Sequence, residues 1–513
     1  MARSQRRSTD SLILGALLAL LLPAVIVLNL PPAGRLAITP DSIAYLTVAG
    51  QIAGGKGLSM PTFALFGHAA QAFTTWPPLF PLVLASGVAP IWLQALALGA
   101  LGAVVFAMFA GTLRVNPVVA VLLAWSCALS MPLLVDASYV WSEVLALLMA
   151  SLMLWSLAGL RESNAWWRWG LGMLACALSI YARYAMVLLV PGLMLAMWMA
   201  PLRARGRRVS LALLTPLAMV VLFAPLLVHN LLQGHHVTGA VRQAAGRSLA
   251  TNLSDAVLAM ASAFAVASPW VAVFVVAGLA ALAVAALAWL ARVRGVDRGM
   301  AEQPAEPAEP AAWLARLALV LALVYAAGMV LLRTLVHFDG LDTRLMSPAV
   351  YLLGLAICAG AVLHGRSPRH GVWERAVLAL PFVALMALSL QRAAAQGDEA
   401  WHAWRSTGTP QWPRKPLLVY LNIQPISVPP VQGVVLSERP MMVQFLTGWT
   451  VRQIPPGPWS DAELRNIAAA ARALLVSDRD SAELAARLRQ QMPEATLKPM
   501  AGRQLLQWSP PGS

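Results

Sequence analysis

Charged residues are few in this chain. Asp, Glu, Lys and Arg make up 12% of its 513 residues, about half the share of an ordinary water-soluble domain. Acids are the scarcer sign, 22 Asp and Glu against 37 Lys and Arg, for a net charge of +15. A single soluble globule is excluded, because its surface would need far more ionic side chains. Cysteine is scarcer still: Cys127, Cys176 and Cys358 are the only three, and each lies inside an apolar run. That excludes a disulfide-stapled scaffold and leaves them as small core hydrophobes. The basic surplus is spread over short segments between apolar runs, which argues against a nucleic-acid partner.

What the chain has instead is hydrophobic length. Apolar types reach 59% and the mean hydropathy is +0.69. Runs such as 12–30, 117–135 and 269–290 approach the roughly 20 residues that carry a helix across ~30 Å of hydrocarbon. Their continuity suits helices, since a barrel strand would alternate over about 10 residues. Spans are expected at about 11–30, 91–111, 117–134, 142–160, 166–182, 184–200, 209–228, 269–291, 313–334, 345–363 and 376–392. Residues 1–30 carry Arg3, Arg6 and Arg7 before an apolar stretch. No small-residue cleavage site follows, so an uncleaved first span is expected rather than a removed signal peptide. Residues 79–90, with Pro81 and Pro90, read as an interfacial entry segment.

With the N-terminus in the cytoplasm, the inside loops hold most of the arginine, including Arg203, Arg205, Arg207 and Arg208, Arg292, Arg294 and Arg298, and Arg366, Arg369 and Arg375. This is the positive-inside bias. It favours a break near Arg183 over one long helix through 170–200, which would invert every later loop. Two outside loops are long, 31–78 and 229–268, and long loops are commonly functional. The tail 393–513 changes character. Trp401, Trp404 and Trp412 could anchor it at the interface; Val434 to Ser437, Ala473 to Ser477 and Gln504 to Trp508 read as strands. Asp461 to Ala473 and Ser481 to Gln491 read as amphipathic helices, with Ser481 resembling an N-cap. The expected fold is an all-α polytopic membrane bundle of about eleven spans (1–392) with a small C-terminal α/β soluble domain (393–513) outside the membrane. The Ala- and Arg-rich composition suits a bacterium, hence an inner-membrane location and a periplasmic tail.

The first outside loop carries the candidate chemistry. Thr39-Pro40-Asp41-Ser42 starts a helix with Tyr45 one turn later; Gly54-Gly55-Lys56-Gly57 makes a turn; Trp76-Pro77-Pro78-Leu79-Phe80-Pro81 enters the next apolar stretch. Asp41 could equally be a helix cap, Tyr45 a packing residue and Lys56 an exposed turn residue. Elsewhere, Ser142-Glu143 opens a span, Ala182-Arg183-Tyr184 closes one, and Asp342-Thr343-Arg344 precedes another. Glu143 in an apolar run would have to face protein or water. Arg183 could be a snorkelling anchor, and Arg344 could pair with Asp342 or Asp339.

Taken in order, these motifs resemble the GT-C glycosyltransferases, in particular the protein mannosyltransferase and aminoarabinose-transferase branch. His229-Asn230, Gly234 and Thr238-Gly239, and the stretch Val434 to Pro455, extend the resemblance over nearly the whole chain. It implies transfer of a sugar from a polyprenyl-phosphate donor to a lipid, glycan or protein acceptor at the outer face, with inversion at the anomeric carbon. It implies Asp41 as the essential outside carboxylate, acting as general base or as electrostatic or metal support. Many relatives have a second acid directly after the first. Here that position is Ser42, so Glu143, with Asp136 as runner-up, is the expected second carboxylate. Arg183, Arg344 and Lys56 are the expected ligands of the departing phosphate, with Tyr45 beside the substrate. No cofactor is assigned and no metal ligands are identified. A polytopic transporter or lipid flippase for lipid-linked glycans is the alternative. It is disfavoured because charges gather at span ends and no internal repeat is visible.

Overall fold

The computed structural model describes residues 2–29, 36, 38–61, 65, 70–234, 246–263, 310–336, 340–365 and most of 431–508. The expected spans 269–291 and 376–392, Asp339 and the tail's Trp401, Trp404 and Trp412 lie outside the described residues. The chain divides into two compact units: Met1–Leu36 with Thr74–Phe80 and Val88–Pro410, and Ala37–Phe73 with Pro81–Gly87 and Gln411–Ser513.

The described part of the larger unit is helical. Its helices are α1 (Ala2–Asn29), followed after the first long loop by Pro90–Phe106, which continues through a π-turn to Thr112, then Pro117–Ala128, Met131–Ala137, Glu143–Ala158, Ala165–Ala182, Leu189–Trp198, Arg205–Gly234, Leu249–Ala263, Pro310–Leu335 and Thr343–Gly365. Among the described residues, five helices are long and apolar enough to cross a membrane: Thr9–Asn29, Pro90–Thr112, Arg205–Gln233, Pro310–Leu335 and Thr343–Leu363.

The expected straight span at 117–134 is instead two helices, Pro117–Ala128 and Met131–Ala137, bent by 61°. Pro132 sits at the start of the second helix, where it lacks an N–H to continue the first ladder. The expected spans 142–160 and 184–200 are the shorter helices Glu143–Ala158 and Tyr184–Trp198. Almost all of Glu143–Ala158 is buried among its neighbours. Unbroken apolar sequence marks such a protein-covered helix as readily as a lipid-facing one. The chain does break at Arg183: Ala165–Ala182 ends there, Arg183 is extended (φ −153°, ψ 115°), and a 3₁₀ turn Tyr184–Leu188 follows. The loop expected at 229–268 contains an unforeseen helix, Leu249–Ala263.

Close approach of helices rests on small residues, as expected where van der Waals contact replaces a hydrophobic drive. A Cβ on Gly99 would lie 2.5 Å from the Leu20 carbonyl oxygen, and one on Gly102 would meet the Ala19 carbonyl. These glycines let α1 lie against Pro90–Phe106. The Trp125 indole N–H donates to the Leu18 carbonyl at 3.1 Å, and that of Trp313 to the Leu157 carbonyl at 2.7 Å, so large rings are used where their one donor finds a partner.

The smaller unit holds α2 (Pro40–Ala53), a hairpin of β1 (Ser59–Pro61) with β2 (Ala70–Ala72), and a five-stranded mixed sheet. Its strands are β3 (Val434–Ser437), β4 (Thr450–Gln453), β5 (Ala473–Val476), β6 (Thr496–Met500) and β7 (Arg503–Gln507), in the order β4-β3-β5-β7-β6. The β3 strand runs parallel to β4 and β5, and β7 runs antiparallel to β5 and β6. Successive side chains point to opposite faces. Leu436, Leu474 and Leu506 join Leu464, Ile467, Leu484 and Leu488 from helices Asp461–Ala470 and Arg479–Gln491 on one face. Val435, Leu475 and Leu505 join Val443 and Trp449 on the other.

Ser481 is not an N-cap: its helix starts two residues earlier, at Arg479. Its own N–H donates to Glu438 Oε1 at 3.0 Å, so a carboxylate from afar serves the helix start. Helix α2 packs on the helix Pro440–Thr447, and Leu65 from the first loop packs on the sheet's Leu436 face. Residues far apart in sequence thus share one core.

Candidate active site

In the smaller unit, Asp41 occupies the first turn of α2 and is half-buried. It is not the cap. Thr39 is, in a reciprocal capping box: its Oγ1 accepts from the Ser42 N–H at 3.4 Å, and the Thr39 N–H donates to Ser42 Oγ at 2.9 Å. Ser42, where many relatives of the resembled family have a second acid, is used for this box. Pro40 at the first helical position supplies the fixed φ that starts a helix. The carboxylate of Asp41 therefore lies in the positive first turn of α2, one residue beyond Pro40. Tyr45 is 3% exposed, a core residue of α2. Lys56 is exposed, in a turn whose Gly55 and Gly57 adopt φ of 74° and 68°. Those values are open to glycine and strained for other residues.

In the larger unit, Glu143, Arg183 and Arg344 are brought together from three helix ends. Arg183 Nη1 and Arg344 Nε both bond Glu143 Oε1. The Glu143 side chain is wholly buried, that of Arg183 is 9% exposed and that of Arg344 17%. The Asp342 carboxylate accepts the Leu345 N–H at 2.9 Å, capping the helix that carries Arg344. The polar atoms Glu143 Oε2 and Arg183 Nε have no hydrogen-bond partner. Asp136 is 0% exposed, and its carboxylate faces the Ser347 side chain. Its electrostatic neighbours are Glu143, Arg183 and Arg344. Two acids and two guanidiniums thus form one cluster.

A buried ion pair is weak evidence for stability, because desolvation offsets the attraction. Unbonded polar atoms at its centre cost more. A group that keeps such atoms in an apolar bundle is a candidate functional site.

Four further residues complete it, none of them singled out from the sequence. The Tyr325 phenol, 0% exposed, interacts with Arg183 and donates to the Leu345 carbonyl at 3.2 Å. The Trp141 ring lies 4.1 Å from the Arg344 guanidinium carbon. Tyr139 stacks on Trp141, with centroids 4.0 Å apart and planes 9° from parallel. Burial pushes the Tyr139 phenol up to about 12 against the pull of Arg344, so that ring is neutral. Gln94, 1% exposed, donates from Nε2 to the carbonyls of Tyr139 and Trp141 at 2.9 and 2.6 Å. The visible signal was the aromatic pair Tyr139 and Trp141 just ahead of Glu143. Gln94 and Tyr325 gave none, being single polar groups in apolar runs. Among the described residues, no group of three or more His, Cys, Asp or Glu is arranged to hold a metal ion.

By sequence, the chain matches no family model and no curated protein. Among solved structures it is similar to ArnT from Cupriavidus metallidurans, a crystal structure with undecaprenyl phosphate bound. The identity is 14%, the match covers 97% of this chain and 98% of that one, and the TM-score is 0.53. At that identity the likeness is one of fold, and it is the fold that the resemblance in sequence implied.

Proposed function

We propose that this chain is a polytopic membrane glycosyltransferase of the GT-C type, moving a sugar from a polyprenyl-phosphate donor to an acceptor at the outer face of the membrane. The observation that carries the proposal is the buried Glu143, Arg183 and Arg344 cluster, in a chain with the fold of a protein that binds undecaprenyl phosphate. The distribution of arginine between loops supports about eleven crossings, a cytoplasmic N-terminus and a periplasmic tail, in the inner membrane of a bacterium.

The chemistry asks for opposite things at the two ends of the bond being broken. The acceptor must lose a proton as it attacks the anomeric carbon, and the donor phosphate must leave with added negative charge. Asp41 is the proposed base, or the electrostatic or metal support, for the acceptor. Arg344 and Arg183 are the proposed partners of the departing phosphate, because a planar guanidinium offers two parallel donors to two phosphate oxygens. In a water-poor pocket such donors stabilise developing charge more than they would in water. Attack from the face opposite the phosphate inverts the anomeric carbon. Glu143 is the proposed counter-ion that keeps the two guanidiniums side by side until phosphate replaces it. Lys56 is a third cation toward the donor, and Tyr45 supports α2 behind Asp41. The acceptor is a lipid, a glycan or a protein.

The test is transfer by the full-length protein in nanodiscs, supplied with polyprenyl-phosphate sugars and envelope extracts, with products read by mass spectrometry. A glycosidic product is expected from the wild type and none from Asp41→Asn at unchanged expression. Normal turnover by Asp41→Asn removes that carboxylate from the chemistry. A labelled donor that crosses liposomes without any glycosidic product is the behaviour of a transporter or flippase and replaces the enzyme assignment.

A further inference from the structure

The segment between the two acid-bearing helices is built as a platform for one guanidinium. Residues 138–142 link Met131–Ala137, which carries Asp136, to Glu143–Ala158. They are buried throughout. Beyond the single β-bridge at Tyr139 the segment has no ladder to satisfy its backbone, so its carbonyls need other donors. One buried side chain supplies two of them: Gln94 Nε2 reaches Tyr139 O at 2.9 Å and Trp141 O at 2.6 Å. Bonding alternate residues fixes the strip so that the rings at 139 and 141 stack, 4.0 Å apart. The outcome is that the Trp141 ring lies under Arg344 at 4.1 Å.

Arg344 is thereby held in two directions. The Trp141 face sets the plane of the guanidinium, and Glu143 Oε1 takes its Nε edge. Its side chain is the more open of the two arginines, 17% exposed against 9%. An arginine fixed only by a carboxylate would swing with that carboxylate when an anion displaced it. One fixed by a ring keeps its plane, because the attraction of a cation to an aromatic face does not use its N–H donors.

Resting on the donor-phosphate assignment made above, we propose that Gln94 and Trp141 are positioning residues for Arg344. They hold its guanidinium plane while the Glu143 contact is exchanged for the phosphate of a polyprenyl phosphate. No covalent step is involved: one carboxylate–guanidinium contact is exchanged for a phosphate–guanidinium contact on a fixed platform.

The test is binding of undecaprenyl phosphate, with undecaprenol as the phosphate-free control, to full-length protein in nanodiscs by native mass spectrometry. Trp141→Leu is expected to weaken undecaprenyl phosphate about tenfold, the size of a desolvated cation–ring contact, and to leave undecaprenol unmoved. Gln94→Met is expected to fall in the same direction, and the double variant no further than the worse single, since both act through one platform. Trp141→Phe, which keeps an aromatic face, retains most of the affinity, and Gln94→Met serves if the leucine variant does not fold. In turnover, the donor KM rises more than kcat falls. The proposal is overturned if folded Trp141→Leu, or folded Gln94→Met where the leucine variant does not fold, keeps the wild-type affinity for undecaprenyl phosphate with a wild-type KM. It is equally overturned if the wild type binds undecaprenyl phosphate no better than undecaprenol. Failure of the enzyme assignment is a separate result, the lack of any glycosidic product from wild-type protein that still prefers the phosphate.

Discussion

The two units hold their candidate charges by opposite means. In the larger unit, Glu143, Arg183 and Arg344 are buried, come from distant helix ends and hold one another. In the smaller unit, Asp41 and Lys56 are set by their own few neighbours: a Thr39–Ser42 capping box, Pro40, and two glycines at positive φ. The first arrangement makes function and folding inseparable, because each charge is another's solvation. The second separates them, since the backbone is fixed by residues other than the ones proposed to react. Charge in an apolar bundle must be solvated by protein, whereas charge nearer the surface is solvated in part by water.

Substitutions sharpen or break that contrast. The largest effect is expected from Asp41→Asn: transfer is lost by at least ~10²–10⁴-fold, the contribution of a general base, while the thermal midpoint in detergent stays at the wild-type value. Equal losses of stability and transfer would erase the distinction between the units. Glu143→Ala should do the opposite, costing about 3–5 kcal/mol by leaving two buried guanidiniums without their shared carboxylate. A thermal shift of the purified protein reads it, and replacing all three charges by apolar residues of similar volume should recover the stability without the activity. Leu436→Ala, at a 0% exposed position of β3, should cost about 2–5 kcal/mol, read by hydrogen exchange in β3, β5 and β7. Because α2 packs on Pro440–Thr447 within the same unit, exchange in 40–53 should rise with it. No change there would mean that α2 stands without the sheet. Smallest is Ser460→Ala, which removes the capping box with Glu463 (Ser460 N–H to Oε2, 2.7 Å). It should cost about 1 kcal/mol and raise exchange in Asp461–Ala470 alone.

Legibility followed the same division. The start of α2 at Pro40, the glycine turn at Lys56 and several strand positions are local decisions. Each is written in a proline, a glycine or a short alternation. Where the sequence pointed wrongly, a distant residue had taken over a local task. Ser481 looks like a cap, yet Glu438 serves that helix start. Arg344 takes its carboxylate partner, Glu143, from 201 positions away. The bend after Ala128 escaped notice because unbroken hydropathy does not report direction.

By itself the sequence determined that this is a membrane-type helical chain with scarce charge at helix ends, and it named Glu143, Arg183 and Arg344 as residues to watch. Hydrophobic length and the placement of arginine are properties of segments, so one dimension is enough to display them. Only the tertiary structure decided that those three share one carboxylate oxygen, that Gln94 and Trp141 stand behind Arg344, and that α2 folds with a sheet almost four hundred residues away. A buried charge takes its partner from whatever the packing brings near, and packing joins residues whose separation along the chain carries no mark of it.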